Sequence, residues 1–173
     1  MGEINPIGPD SECLMSSEID AYLASIKDLR AAYDGMTRDQ LEAHPVEGKW
    51  SAMEVLCHLA DTDLMTAMRI RAALQRDTPR LTAATFEELT AKLAVDARDA
   101  DEELTCFETI RNQTARIVGA FPESALDKEL VLVKVTGEEV TKTVRGLLTG
   151  ITGHVKHHLA FVVEKRKALG LAA

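Results

Sequence analysis

At three places in this chain where a helical pattern opens, a hydroxyl side chain is followed three residues later by Glu or Gln: Thr37-Arg-Asp-Gln40, Ser51-Ala-Met-Glu54 and Thr85-Phe-Glu-Glu88. This is the capping-box arrangement, in which the hydroxyl accepts from the third backbone amide and the acidic or amide side chain accepts back from the first. A chain that repeats it is committed to helices with defined starting points. The box at Thr37 opens one short turn. The box at Ser51 opens a helix that runs to about Gln75 and is stopped by Thr78-Pro79, with Val55, Leu56, Leu59, Ile70 and Leu74 directed inward.

Two further long helices follow from periodicity. Ile19, Tyr22, Leu23, Ile26, Leu29 and Tyr33 recur at helical spacing after Ser16-Ser17-Glu18 and end at Gly35. The box at Thr85 opens a third helical region with a break near Asp96 to Asp99. Its strongest part spans Asp101 to Ala120, with Leu104, Phe107, Ile110, Ile117, Val118 and Phe121 inward, and Pro122 ends it. Leu130 to Val144 alternates differently and predicts two short β segments around a turn at Gly137. The fourth helix then runs from Val144 to Leu169 and stops at Gly170. Four long helices with mostly short connections predict an all-α four-helix bundle carrying a short β-hairpin before the last helix, with room for a crossover in the third connection. Residues 16–170 are expected to form a single domain. Residues 1–15, with Pro6, Gly8 and Pro9 and no periodic pattern, read as a loose N-terminal segment.

Composition excludes several function classes. Aromatic residues make up only 4%, so Leu, Ile, Val, Ala and Met must fill the core. The net charge is −8, and the one short basic run, Lys165-Arg166-Lys167, falls in a last helical turn where the macrodipole accounts for it. Nucleic acid and acidic membranes are therefore poor partners. No apolar stretch approaches the ~20 residues that span a bilayer, and the N-terminus lacks the plan of a signal peptide. Cys13, Cys57 and Cys106 are scattered and form no CxxC motif. A reducing cytoplasm is the expected location.

The chemistry-bearing residues are histidines. His154 and His158 are four apart in the fourth helix and share a face, a spacing that lets two imidazoles converge on one ion. His58 in the second helix offers a third nitrogen across the bundle, and three nitrogens plus a water form an open coordination sphere. His157 stays open as an alternative to His158, because i,i+3 pairs also converge. Asp61, one turn after His58, reads either as a carboxylate that orients His58 or as an exposed surface charge. Glu54 reads as a cap, Trp50 as a core anchor, and Cys57 as a buried structural residue turned away from His58. Gly146, Gly150 and Gly153 are unusual in a helix; Gly150, on the face of His154, is expected to permit close helix approach or leave a cavity above an ion.

Trp50-Ser-Ala-Met-Glu-Val-Leu-Cys-His-Leu-Ala-Asp61, together with Gly153-His-Val-Lys-His-His158, resembles the DinB superfamily. In that family a Trp-Ser-x-x-Glu-x-x-x-His segment opens the second helix and a His-x-x-x-His pair lies on the last. The resemblance implies a four-helix bundle, often a homodimer, with zinc or nickel on three histidines, which carry over as His58, His154 and His158. It also implies reactions that use a low-molecular-weight thiol, as in bacillithiol and glutathione S-transferases and mycothiol-dependent maleylpyruvate isomerase. The expected function is a metal-dependent thiol S-transferase or isomerase, its partners a small thiol and an electrophile. Two alternatives stand beside it: a metal-dependent hydrolase, and a non-catalytic metal-stabilised dimeric bundle with a stress-response or binding role.

Overall fold

The computed structural model describes residues 16–82 and 93–172. Helices α1 (Ser17–Tyr33), α2 (Arg38–Glu42), α3 (Ala52–Gln75), α4 (Ala100–Gly119) and α5 (Val144–Ala168) appear in that order, and all but the single-turn α2 are long. The expected bundle is thus present. The loose segment at 1–15 and the Thr85–Glu88 box lie outside the described residues.

Local chemistry explains the helix starts. Both described capping boxes are made in full, at Thr37/Gln40 and at Ser51/Glu54. Asp99 caps α4 by accepting from the amides of Asp101 and Glu102, which places the helix start at the expected break. Thr143 caps α5 by accepting from the Gly146 amide at 3.0 Å. α4 stops at Gly119, so Phe121 lies beyond its inner face and is exposed, a correction to the inward position expected of it.

The long helices pack in a ring: α1 against α4 and α5, and α3 against α4 and α5. Chain neighbours α1 and α3 therefore stand diagonally, as do α4 and α5, so the last long connection crosses the bundle. That connection carries two strands, β2 (Glu129–Val133) and β3 (Glu139–Thr143), paired antiparallel. A third strand, β1 (Arg80–Thr82), follows α3 and adds to β2 in parallel, giving the order β1-β2-β3. The expected hairpin is therefore part of a small three-stranded sheet. It ties the exit of α3 to the entrance of α5.

The core divides in two. One apolar cluster includes Ile19, Ile70, Leu74 and Leu148 near the sheet; the other includes Leu29, Met53, Leu56, Leu59, Phe107 and Val155 at the opposite end. Between them lies a fully buried polar cluster on the bundle axis. Arg111 Nε and Nη2 donate to Asp63 Oδ2 at 2.9 and 2.5 Å, and Tyr22 Oη donates to Asp63 Oδ1 at 2.8 Å. Arg111 also donates to Tyr22 O at 2.8 Å and to Ser25 Oγ, and its guanidinium lies 4.2 and 4.3 Å from the ring centres of Tyr22 and Phe107. Every buried charge in the cluster is paired and hydrogen-bonded, which is the condition for placing it in an apolar interior. Among the described residues no helix is long and apolar enough to cross a membrane.

Candidate metal centre

The adjacency of α3 and α5 brings the histidines together. His58 lies two turns inside α3, beyond the frayed end and behind a complete capping box, so its backbone is rigidly placed. His154 and His158 lie three to four turns inside α5, stacked one turn apart on the face toward α3. His58 Nε2 is 3.2 Å from His154 Nε2, and His158 Nε2 is 3.0 Å from the same atom. All three ligand atoms fall within 4.8 Å of one another, and this is the one cluster of its kind among the described residues. His157 stands outside it: exposed, with its ring edge-to-face against Phe161 at 4.8 Å.

The donor set fits a divalent ion better than it fits protons. His154 Nε2 has one in-plane site, either a hydrogen or a lone pair, yet two other Nε2 atoms sit at contact distance. A shared proton satisfies such a three-way convergence poorly. An ion at the focus satisfies it well: four-coordinate zinc with bonds near 2.05 Å separates its ligand nitrogens by about 3.3 Å. Neutral lone pairs are also available. Burial, reinforced by the neighbouring histidines, pushes the His154 pKa down to about 4 and that of His158 to about 3.

What stands behind the ligands differs from expectation. The Nδ1 atoms of His154 and His158 are buried and have no hydrogen-bond partner among the described residues, so no described carboxylate or carbonyl fixes their tautomers. Asp61, read from sequence as the carboxylate that orients His58 or as a surface charge, gives both its oxygens to Arg98, at 2.8 and 3.0 Å. Arg98 also bridges to Glu103 at 2.8 Å, so Asp61 belongs to a tie between α3 and the segment that opens α4. Cys57 is fully buried, and burial pushes its thiol up to about 12, which removes it from nucleophilic chemistry at neutral pH. Glu54 is occupied by its cap: Oε2 accepts from the Ser51 amide at 2.6 Å.

A cavity of about 710 Å³ opens onto the three histidines. Its rim is the 44–50 loop, where Gly48 adopts φ +68°, a left-handed conformation that costs other residues but not glycine. That turn presents Lys49 and Trp50. Trp50, expected as a core anchor, packs against the core cluster opposite the sheet and is also part of the cavity wall: its ring stacks on His158 at 6.4 Å and meets His58 edge-on at 5.0 Å. Gly150 is not the source of this space. It is exposed, and a Cβ there or at Gly153 would meet nothing within 4 Å. The cavity arises between helices and loop. Sequence reasoning also missed Phe161 and Lys165, which line it one and two turns beyond His158.

Comparison with known proteins agrees with this picture. The model of the DinB superfamily matches residues 21–162. A Bacillus licheniformis protein named "putative metal-dependent hydrolase" is 29% identical over 173 residues, covering 95% of this chain and 96% of its own. A Geobacillus thermodenitrificans protein of the same name is 27% identical over 161 residues, covering 90% of this chain and 88% of its own. Among solved structures, YfiT from Bacillus subtilis, described as a probable metal-dependent hydrolase with an unusual four-helix bundle topology, superposes with a TM-score of 0.80. It is 20% identical, with 99% of this chain and 97% of YfiT covered, and the likeness is one of fold.

Proposed function

The chain belongs to the DinB superfamily, and from that premise we propose that it is a metal-dependent enzyme acting on a small molecule. His58, His154 and His158 hold one divalent ion, zinc or nickel, at the inner end of the cavity. The observation that carries this reading is the cavity itself: a three-histidine centre that opens onto about 710 Å³ of space is built to admit a ligand. A purely structural ion is normally enclosed by four protein ligands. When bound, a divalent ion supplies Lewis acidity, lowering the pKa of a water or thiol placed in its open position.

The chain's own residues do the rest. The half-buried imidazoles of His154 and His158 stay neutral and keep their lone pairs available through neutral pH. Trp50 and Phe161 wall the cavity with apolar surface, which excludes water from the reacting groups and strengthens electrostatic interactions there.

With water as the nucleophile the reaction is a hydrolysis, the reading that the names of the Bacillus and Geobacillus relatives favour. A second reading has an observation of its own. Among the described residues no carboxylate lines the cavity to serve as a general base, and a thiol with a pKa near 8.5 needs far less help to ionise than water does. With a low-molecular-weight thiol the enzyme is an S-transferase or isomerase. A small thiol and an electrophile as partners belong to that second reading; assembly as a homodimer goes with either.

Metal content by mass spectrometry, on natively purified protein and on His154→Ala, tests the proposal. About one zinc or nickel per chain, lost in the variant, is the expected result. No metal in either, even after zinc and nickel are added, overturns it. Release of p-nitrophenol from p-nitrophenyl acetate, set against thiol-dependent consumption of 1-chloro-2,4-dinitrobenzene, then separates the two nucleophiles.

A further inference from the structure

His154, His158, Phe161 and Lys165 follow one another at intervals of four, three and four residues, so all four lie along one face of α5. The lower half of that stripe is the metal centre. The upper half has no part in it. Lys165 is only 2% exposed, yet it lines the cavity. Its ammonium group has one hydrogen-bond acceptor, Phe161 O, at 3.4 Å. Among the described residues it makes no ion pair, although its sequence neighbour Arg166 reaches the carbonyls of Ala32, Asp34 and Ala172. The macrodipole therefore accounts for Arg166 but not for a lysine that is drawn into the interior.

A second cation faces the same space. Lys49 Nζ lies 5.6 Å from the centre of the Phe161 ring, and Lys165 Nζ lies 5.9 Å from it. The ring offsets part of the cost of desolvating the Lys165 ammonium group, while repulsion from the exposed Lys49 adds to that cost. Glu54 and Glu164 act on Lys165 only through space, and burial is the dominant influence, holding its pKa below the usual lysine value. Two ammonium groups converge on a cavity whose described lining contains no carboxylate. An anion entering there would gain charge-assisted hydrogen bonds and relieve both desolvation and repulsion.

We propose that the substrate of this centre is a small molecule bearing a carboxylate or phosphate group, which Lys165 and Lys49 bind while its reacting end reaches the three histidines. The seven-residue offset from His158 to Lys165 corresponds to about 10 Å along the helix axis, so the anion and the reacting group are separated by several bonds. This inference rests on the reading of the cavity as the substrate site, and it names the substrate's charge.

Trp50 is the only tryptophan in the chain and it lines the cavity, so its emission reports binding directly. Benzoate and phenyl phosphate are titrated against the neutral benzamide, using full-length protein with zinc bound and again after chelation. The variants are Lys165→Met and, at an exposed position that leaves the fold untouched, Lys49→Met. At least one anion should bind about tenfold more tightly than benzamide, the scale of one charge-assisted contact, and the tighter of the two identifies the group. Lys165→Met should abolish that preference, and Lys49→Met should reduce it, with benzamide binding and zinc stoichiometry unchanged in both. Equal binding of anions and benzamide, or a preference that survives both substitutions, overturns the proposal. Zinc stoichiometry is read independently, so a protein that prefers anions but binds no metal refutes the metal reading alone.

Discussion

Replacing Arg111 with methionine would remove the cation from the bundle axis while keeping most of its volume between Tyr22 and Phe107. Asp63 would be left fully buried with Tyr22 Oη as its remaining partner in the cluster. Burial already holds the Asp63 pKa above the usual carboxylate range despite the opposing pull of Arg111, and without the guanidinium it must rise further. The size of the effect has a ceiling, because the variant can protonate Asp63 instead of burying a charge. With an unfolded pKa near 3.9, neutralising the group at pH 7 costs about 4.2 kcal/mol, and at pH 4.5 about 0.8 kcal/mol. The loss at pH 7 should therefore be about 3–4 kcal/mol, in the range for breaking a buried pair. A raised folded pKa means that the folded state binds more protons than the unfolded one above pH 4, so the deficit grows as pH rises and shrinks in acid. Urea unfolding followed by circular dichroism at pH 7 and pH 4.5 measures both numbers. Adding Asp63→Asn should recover part of the loss at pH 7 and leave the remainder nearly independent of pH. A cost below about 1 kcal/mol at pH 7, or the same cost at both pH values, would refute the account of a charge held by its partner.

Gly150→Ala and Gly153→Ala should each raise stability by about 0.5–1 kcal/mol, since both positions are helical and open, and a urea midpoint that falls would contradict this. His154 and His158 have folded pKa values of about 4 and about 3, below their unfolded value. The unfolded chain therefore binds more protons as pH falls below ~6.5, so metal-free protein should melt at a lower temperature at pH 5 than at pH 7, and His154→Ala should show a smaller difference. Nickel added to metal-free protein should quench Trp50 emission, because the indole lies 5.0 Å from the His58 ring; no quenching, or equal quenching in His154→Ala, would place the ion elsewhere.

Much of this architecture is legible in sequence because it is encoded locally. Capping boxes, helical periodicity and the i,i+4 histidine pair each lie within one or two turns, and Ser51/Glu54 and His154/His158 fall where local rules place them. What depends on distant partners is not legible. Asp63 and Arg111 look like surface charges on helical faces until three helices bring them together. The three-residue strand β1 is too short to alternate and takes its register from β2, far along the chain. Asp61 stands one turn from His58, but its partner Arg98 arrives from another element. Lys165 is hidden by its neighbours, because a basic run at a helix end already has a sufficient explanation.

The sheet also shapes how such a protein can evolve. Thr143 is both the last residue of β3 and the cap of α5, so strand and helix are joined without slack. Residues gained or lost at the hairpin tip around Gly137 would leave the helix where it is. A single residue gained between Thr143 and His154 would turn the histidine pair by about 100° relative to the sheet and carry it away from His58. Length variation among related chains should accumulate at the tip and be purged from the stretch that follows it.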